Sequence, residues 1–378
     1  MGSMRTDRTI GVEEELLLVD PATGQPRPAG DEVVDSAGGA AGDDAGDDAG
    51  DDVSGGLEHE LKREQVELGT EVHRELDDIG ANLRALRRRL AHAAEQHGLR
   101  LAALATSPLP VEPKRTTDER YERMTRLYGM TARELLCNGC HVHVAVDSVE
   151  EAVGVMDRVR PWLAVLTALS ANSPFWQGGD SSYASYRQRV WSRWPSAGPS
   201  ELFGDPAGYR RAIDDLVECG AALDEGMAYL DIRASRQYPT VELRVFDVCL
   251  DVEDAVLLAG LARGLVETAA QEWRAGQPAP SVRMEVLRGA AWRAARFGVS
   301  ADLVDPLTAT TVPAQQQIKR LLAHIAPALQ AHGDLDAVST RLDDVLRRGT
   351  GADVQRAAFA QRGELADVVT DAVGRTLR

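Results

Sequence analysis

In Cys140-His141-Val142-His143-Val144 two imidazoles alternate with apolar side chains at a period of two. An extended chain sends every second side chain to the same face, so His141 and His143 share one face and the valines pack on the other. The same pattern recurs on both sides of this stretch. Gly11-Val12-Glu13-Glu14-Glu15 places Glu13 and Glu15 on one face with Val12 opposite, and Val241-Glu242-Leu243-Arg244-Val245 sets a carboxylate and a guanidinium against three aliphatics. Asp231-Ile232-Arg233 adds a further period-two pair just upstream. Any one of these strands suits an antiparallel sheet with one wet face. Wet faces are usually Thr, Lys, Ser and Gln, whereas these carry Glu, His and Arg, which are ligand and phosphate-clamp types. If the faces adjoin, the carboxylates repel one another, and either their pKa values rise or a cation sits among them. A site rich in oxygen, with imidazole as a minority ligand, suits Mg2+ or Mn2+.

Further strand-like pieces are Thr9 to Val19, closed by Asp20-Pro21 and Gly24, then 99–104, 139–146, 229–234 and 240–248. Helical periodicity covers 71–97, 149–171, 207–226 and 252–274, and 282–377 is almost wholly helical in pattern. Within 71–97 the triplet Arg87 to Arg89 reads as a solvated face beside Leu76, Ile79, Leu83, Leu86 and Leu90. The strands are too irregularly spaced for a βαβ repeat, so the expected class is α+β with a largely antiparallel sheet. We read one domain over 1–378, interrupted at 38–56 by a low-complexity acidic insert carrying AGDD three times in succession. Such a segment has little to bury and is expected to be disordered; a calcium-binding repeat is the alternative.

The chain has 378 residues, 42 Lys+Arg against 59 Asp+Glu and a net charge of -17, which disfavours a nucleic-acid partner. No run reaches the roughly 18 apolar residues of a membrane span. No basic region followed by an apolar core is read at the N-terminus, so the cytoplasm is the expected compartment. There is no Walker A loop, no G-x-S-x-G elbow and no H-E-x-x-H, the nearest approach being His59-Glu60-Leu61-Lys62-Arg63. Cys137-Asn138-Gly139-Cys140-His141 matches the attachment pattern of c-type haem and could supply zinc thiolates, but Cys219 and Cys249 form no second pair, and buried thiols are expected. The loop over 173–187, dense in aromatics and hydroxyls, is either structural or a binding loop.

Thr9 to Val19, Glu67-Leu68-Gly69-Thr70, His141-Val142-His143, Ala184-Ser185-Tyr186-Arg187 with Trp194-Pro195, and Thr240-Val241-Glu242-Leu243-Arg244 together resemble the type 2 glutamate-cysteine ligase family, the carboxylate-amine ligases. The resemblance implies a glutamine synthetase-like catalytic fold: a curved antiparallel sheet with its active site on the concave face, helices packed behind and a helical C-terminal part. It also implies roles. Glu13, Glu15, Glu67, His141 and Glu242 resemble the metal-binding set, His143 would lie near the nucleotide phosphates, and Arg187, Arg233 and Arg244 look like substrate or phosphate clamps, with Arg187 and Arg244 acting in catalysis. The AGDD insert, and Ala145 where a glycine often follows His-Val-His-Val, depart from the family pattern without touching a proposed ligand.

The implied reaction is amide formation at the expense of ATP with Mg2+ or Mn2+, and γ-glutamylcysteine is the expected product. A carboxylate is a poor electrophile, so phosphorylation activates it and an amine then displaces phosphate; positioning and electrostatics supply most of the catalysis. No protein nucleophile is needed, in keeping with the missing serine and cysteine motifs. The same chemistry on another acid or amine, and a catalytically idle metal-binding protein of the same fold, are the alternatives. Expected partners are small-molecule carboxylates and amines and, at most, further copies of the chain as a homo-oligomer.

Overall fold

The computed structural model describes residues 8–38 and 56–378, so the insert expected over 38–56 lies outside the described residues apart from its terminal glycines. In chain order the strands are β1 (Ile10–Val19), β2 (Gly56–Glu58), β3 (Gln65–Gly69), β4 (Arg100–Ala102), β5 (Gly139–Ala145), β6 (Phe175–Trp176), β7 (Gly179–Asp180), β8 (Ile232–Ala234), β9 (Thr240–Asp247), β10 (Leu303–Asp305) and β11 (Thr310–Val312). The main sheet runs β2-β3-β1-β5-β9-β8 with β4 also on β1. Its pairings are all antiparallel, in agreement with the expected class.

Alternation along β1 explains how one strand serves two environments. Ile10, Val12, Leu16 and Leu18 enter the large apolar core, while Glu13 and Glu15 point to the opposite face. Cys140, Val142 and Val144 of β5 and Val241, Leu243 and Val245 of β9 continue the apolar side. Against it pack the helices Leu76–Gln96 and Val252–Arg274; the latter is buried along most of its length and also meets Val149–Val159 and Ala314–His332. A register shift between Cys140 and Val142 offsets β5 against β9 and lets Phe246 join the core although Glu242 and Arg244 do not.

Several expectations need correction. Arg87 is not part of a solvated face: it is fully buried and paired with Glu14, and only Arg88 and Arg89 are exposed. The helix read over 71–97 begins at Leu76, because the preceding residues bridge back to β1 through His73 and Ile10. The helix over 149–171 breaks into Val149–Val159, a tight turn Arg160–Trp162 and Leu163–Leu169, since Pro161 lacks the N–H that a continuous helix needs. That over 207–226 stops at Glu218, and the C-terminal helical stretch is interrupted by the β10–β11 hairpin. Of the cysteines, Cys137, Cys140 and Cys249 are buried, whereas Cys219 is exposed.

Candidate active site

Strand register brings the period-two residues onto one surface. Glu13 lies opposite His141 across β1 and β5, Glu15 opposite Glu67 across β1 and β3, His143 opposite Glu242 across β5 and β9, and Glu242 opposite Arg233 across β9 and β8. This face is not wet. Glu13, Glu67, His141, His143, Arg233, Glu242 and Arg244 are all buried, and Glu15 is partly so. The cleft over them is walled by Glu60, Arg120, Tyr121, Trp191 and Tyr229.

Electrostatics divides the carboxylates into two kinds. Burial would raise the Glu13 carboxyl, but His143 and the hydrogen bonds from both imidazoles outweigh it and hold the group at about 2. Its oxygens lie 2.9 Å from His143 Nε2 and 3.3 Å from His141 Nδ1. Burial would also raise Glu242, yet the guanidinium groups of Arg233 and Arg244, both in contact with it, hold it well below the usual range. Glu15 and Glu67 go the other way: burial, reinforced by Glu60, pushes Glu15 up to about 7 and Glu67 well above the usual range. The expected mutual repulsion is therefore present on the β1–β3 side and already neutralised on the β5–β9 side.

The imidazoles differ as well. Burial and the Arg244 charge press His141 down to about 4, so it is neutral, whereas Glu13 overcomes burial and raises His143. His141 Nε2 is buried with no hydrogen-bond partner, the state of a ring nitrogen available to a cation. Two groups each offer ligand atoms within 4.8 Å of one another: Glu13 with Glu67 and His141, and Glu13 with His143 and Glu242. A divalent cation fits this donor set of oxygens and neutral imidazole.

Arg187 is placed by a chain of contacts that begins in the loop over 173–187. The Ser173 and Ser185 hydroxyls donate to the buried carboxylate of Asp247 at 2.7 and 2.8 Å, and the Arg187 N–H donates to Ser173 Oγ at 2.9 Å. Ser185 also caps the helix Tyr186–Trp191, which carries Arg187 and Trp191. A Cβ on Gly139 would fall 2.2 Å from an Arg187 terminal nitrogen, so the guanidinium lies against the bare glycine and would have to shift for any larger residue, and the Gly139 N–H donates to Glu15 at 2.5 Å. The Trp191 ring lies within cation–π range of both Arg187 and Arg244, at 5.7 and 5.8 Å. Arg187 Nε and Arg244 Nε are buried without partners, so both arginines keep a free donor.

All nine residues singled out from the sequence thus converge on one sheet face and its rim. Glu242 and Arg244, which the resemblance places in the metal-binding set and among the clamps respectively, touch each other in this structure. Glu60, Arg120, Tyr121, Trp191 and Tyr229 were not singled out from the sequence. For Glu60 a signal existed, because Glu58 and Glu60 stand at period two before a turn; the aromatic and arginine walls come from helices and loops with no such pattern.

Comparison with known proteins places this geometry. A family model described as glutamate-cysteine ligase family 2 matches residues 9–371. A Frankia alni protein provisionally named glutamate–cysteine ligase 2-2 is 55% identical over 367 residues, covering 96% of this chain and 95% of its own. A Streptomyces coelicolor protein provisionally named glutamate–cysteine ligase 2 is 51% identical over 369 residues, covering 98% and 99%. Among solved structures, glutamate–cysteine ligase from Francisella tularensis in complex with AMP superposes with a TM-score of 0.66 at 14% identity, over 98% of this chain and 88% of that one, which shows a shared fold. From the near-complete family match and these relatives, the chain belongs to glutamate-cysteine ligase family 2.

Proposed function

We propose that this protein is an ATP-dependent carboxylate–amine ligase that joins the γ-carboxylate of glutamate to the amine of cysteine through an acyl phosphate. The observation that carries the reading is the pairing, on one buried sheet face, of a carboxylate–imidazole cluster with two partly unsatisfied arginines. Family membership and the relatives' names support the same reaction.

Glu13, Glu15, Glu67, His141 and Glu242 would hold Mg2+ or Mn2+, which offsets phosphate charge when bound. Neutral His141 can give its free ring nitrogen to such an ion without losing a proton. His143, whose pKa is raised by the Glu13 carboxylate 2.9 Å away, would present positive charge toward the phosphates when protonated. Arg187 and Arg244, spaced by the Trp191 ring, grip the acid substrate and stabilise the oxyanion that forms as the amine attacks the acyl phosphate. Arg233 holds Glu242 in place. Phosphate then leaves and the amide remains, with ADP as the other product. The partners are small molecules, and among the described residues no helix is long and apolar enough to cross a membrane; the cytoplasm is the compartment we assign.

The deciding experiment measures ADP release with a panel of amino acids as acid and amine. Turnover that needs glutamate and cysteine together supports the reading. Turnover with other pairs keeps the chemistry and changes the substrates, and no turnover with any pair sinks it.

A further inference from the structure

Back to back with the catalytic cleft lies a second cavity of about 580 Å3, within the ~300–1,000 Å3 of small-molecule sites. Chain-adjacent residues line the two. Leu61, Met124 and Leu135 line the catalytic cleft, while their chain neighbours Lys62, Thr125 and Glu134 line the second cavity. A two-way hydrogen bond pins one margin: the Gln177 side chain accepts from Val111 N at 3.0 Å and donates to Val111 O at 2.9 Å.

The charge of this cavity runs against that of the chain. Lys62 is only 2% exposed, yet its ammonium has a single polar contact, the carbonyl of Arg133 at 2.9 Å, and no carboxylate among the described residues lies within 4 Å of it. A buried ammonium without a contact ion pair is costly, and burial presses Lys62 down to about 8 against the through-space pull of Glu64. The nearby Glu64 carboxylate does not answer it with an ion pair; both its oxygens accept from the backbone N–H of Lys114, at 2.9 and 3.0 Å. Glu134 is taken by Arg193 at 2.7 Å and Arg115 by Glu122 at 3.2 Å. Lys62, Lys114 and Arg133 then remain against Glu112 in the lining and Glu64 behind it, which still leaves an excess of positive charge in a chain whose net charge is -17. Trp176, Val111 and Pro113 supply an apolar wall, which an inorganic ion would not use.

We propose that this cavity binds a small organic anion carrying two or more negative charges on a flat or compact carbon skeleton, with Lys62 at its base and Lys114 and Arg133 at its mouth. The site is separate from the catalytic cleft and its occupancy does not depend on the ligase reading above.

The test is calorimetry on the full-length, metal-free protein at neutral pH and constant ionic strength. The probe is isophthalate, a flat dicarboxylate; benzoate and sulfate are the controls. Isophthalate should bind saturably at one site, and Arg133→Glu and Lys62→Met should each weaken it by about tenfold or more, the loss of a charge-assisted contact. Arg133 is exposed, so its variant carries the test even if Lys62→Met fails to fold. Arg244→Lys, altered only in the catalytic cleft, should bind isophthalate as the parent does. Absence of saturable binding, binding unaffected by Arg133→Glu, loss of binding in Arg244→Lys, or benzoate or sulfate matching isophthalate would each overturn the proposal.

Discussion

Arg87 grips Glu14 with two parallel hydrogen bonds of 2.7 Å in a pocket that leaves neither side chain exposed. The remaining guanidinium protons reach the carbonyls of Cys249 at 2.8 Å and Thr376 at 3.0 Å, so one arginine ties β1 to the end of β9 and to the C-terminal helix Leu365–Thr376. Glu14 therefore belongs to the scaffold, although it stands between two candidate ligands. Glu14→Gln leaves a buried guanidinium without its counter-charge and should cost about 3–5 kcal/mol, read by urea denaturation. A loss below about 1 kcal/mol would contradict this role.

Its two neighbours should behave differently from each other. Glu15 carries the cost of burial and the repulsion of Glu60, which Arg187, Arg244 and the Gly139 N–H offset only in part, so Glu15→Gln should leave metal-free stability level or higher while abolishing ATP-dependent turnover. Glu13 is already compensated by two imidazoles, so Glu13→Gln should lower metal-free stability by on the order of 1–3 kcal/mol and abolish turnover too. Thermal melts with and without Mg2+, beside an ADP-release assay, separate the pair. Full turnover in either variant would remove that residue from the metal set.

Glu242 and Arg244 touch, but their substitutions should still be told apart. Glu242→Gln leaves Arg233 and Arg244 facing each other without a counter-charge, so it should lose about 3–5 kcal/mol and require more metal for turnover. Arg244→Lys retains a positive charge beside Glu242 but cannot copy a two-pronged grip or the stacking on Trp191. It should raise the KM for the acid or lower kcat by on the order of ten- to a thousand-fold, with metal dependence little changed. Matching kinetic profiles for the two variants would argue for a purely structural pair.

Asp231 supplies a pH dependence outside the metal set. Burial raises its carboxyl from 3.8 to about 7, against the smaller opposing pull of Arg187. Between those values the folded protein holds a proton that the unfolded chain has released, so this group's contribution to stability falls as pH rises from about 4 to about 7. Asp231→Asn should flatten that fall and raise stability at pH 8 by on the order of 1–2 kcal/mol. Denaturation midpoints for parent and variant across this range check the sign; equal slopes would show that Asp231 titrates normally.

The alternation in β1, β5 and β9 was legible because a strand's period of two is a local property, and so was the helix Val252–Arg274, whose bounds match its apolar pattern residue for residue. Local pattern also carried the ligand types. It could not assign Glu14, since period two says only that Glu14 faces away from Glu13 and Glu15; what waits on that side is a helix distant in sequence. Arg87, inside an arginine triplet, has neighbours that are exposed and gives no local sign of burial.

What the sequence by itself determined is the identity of the chemistry-bearing side chains and the strand face each one shares. Only the tertiary structure decided which of them are charged and what they serve. Register across β3, β1, β5, β9 and β8 sets His141 opposite Glu13, with His143 reaching it from the diagonal, and Arg233 opposite Glu242, which Arg244 of the same strand also touches, while Glu15 and Glu67 are left with Glu60. Charge state depends on burial and on neighbours a few ångströms away, and strand pairing brings those together from parts of the chain far apart in sequence.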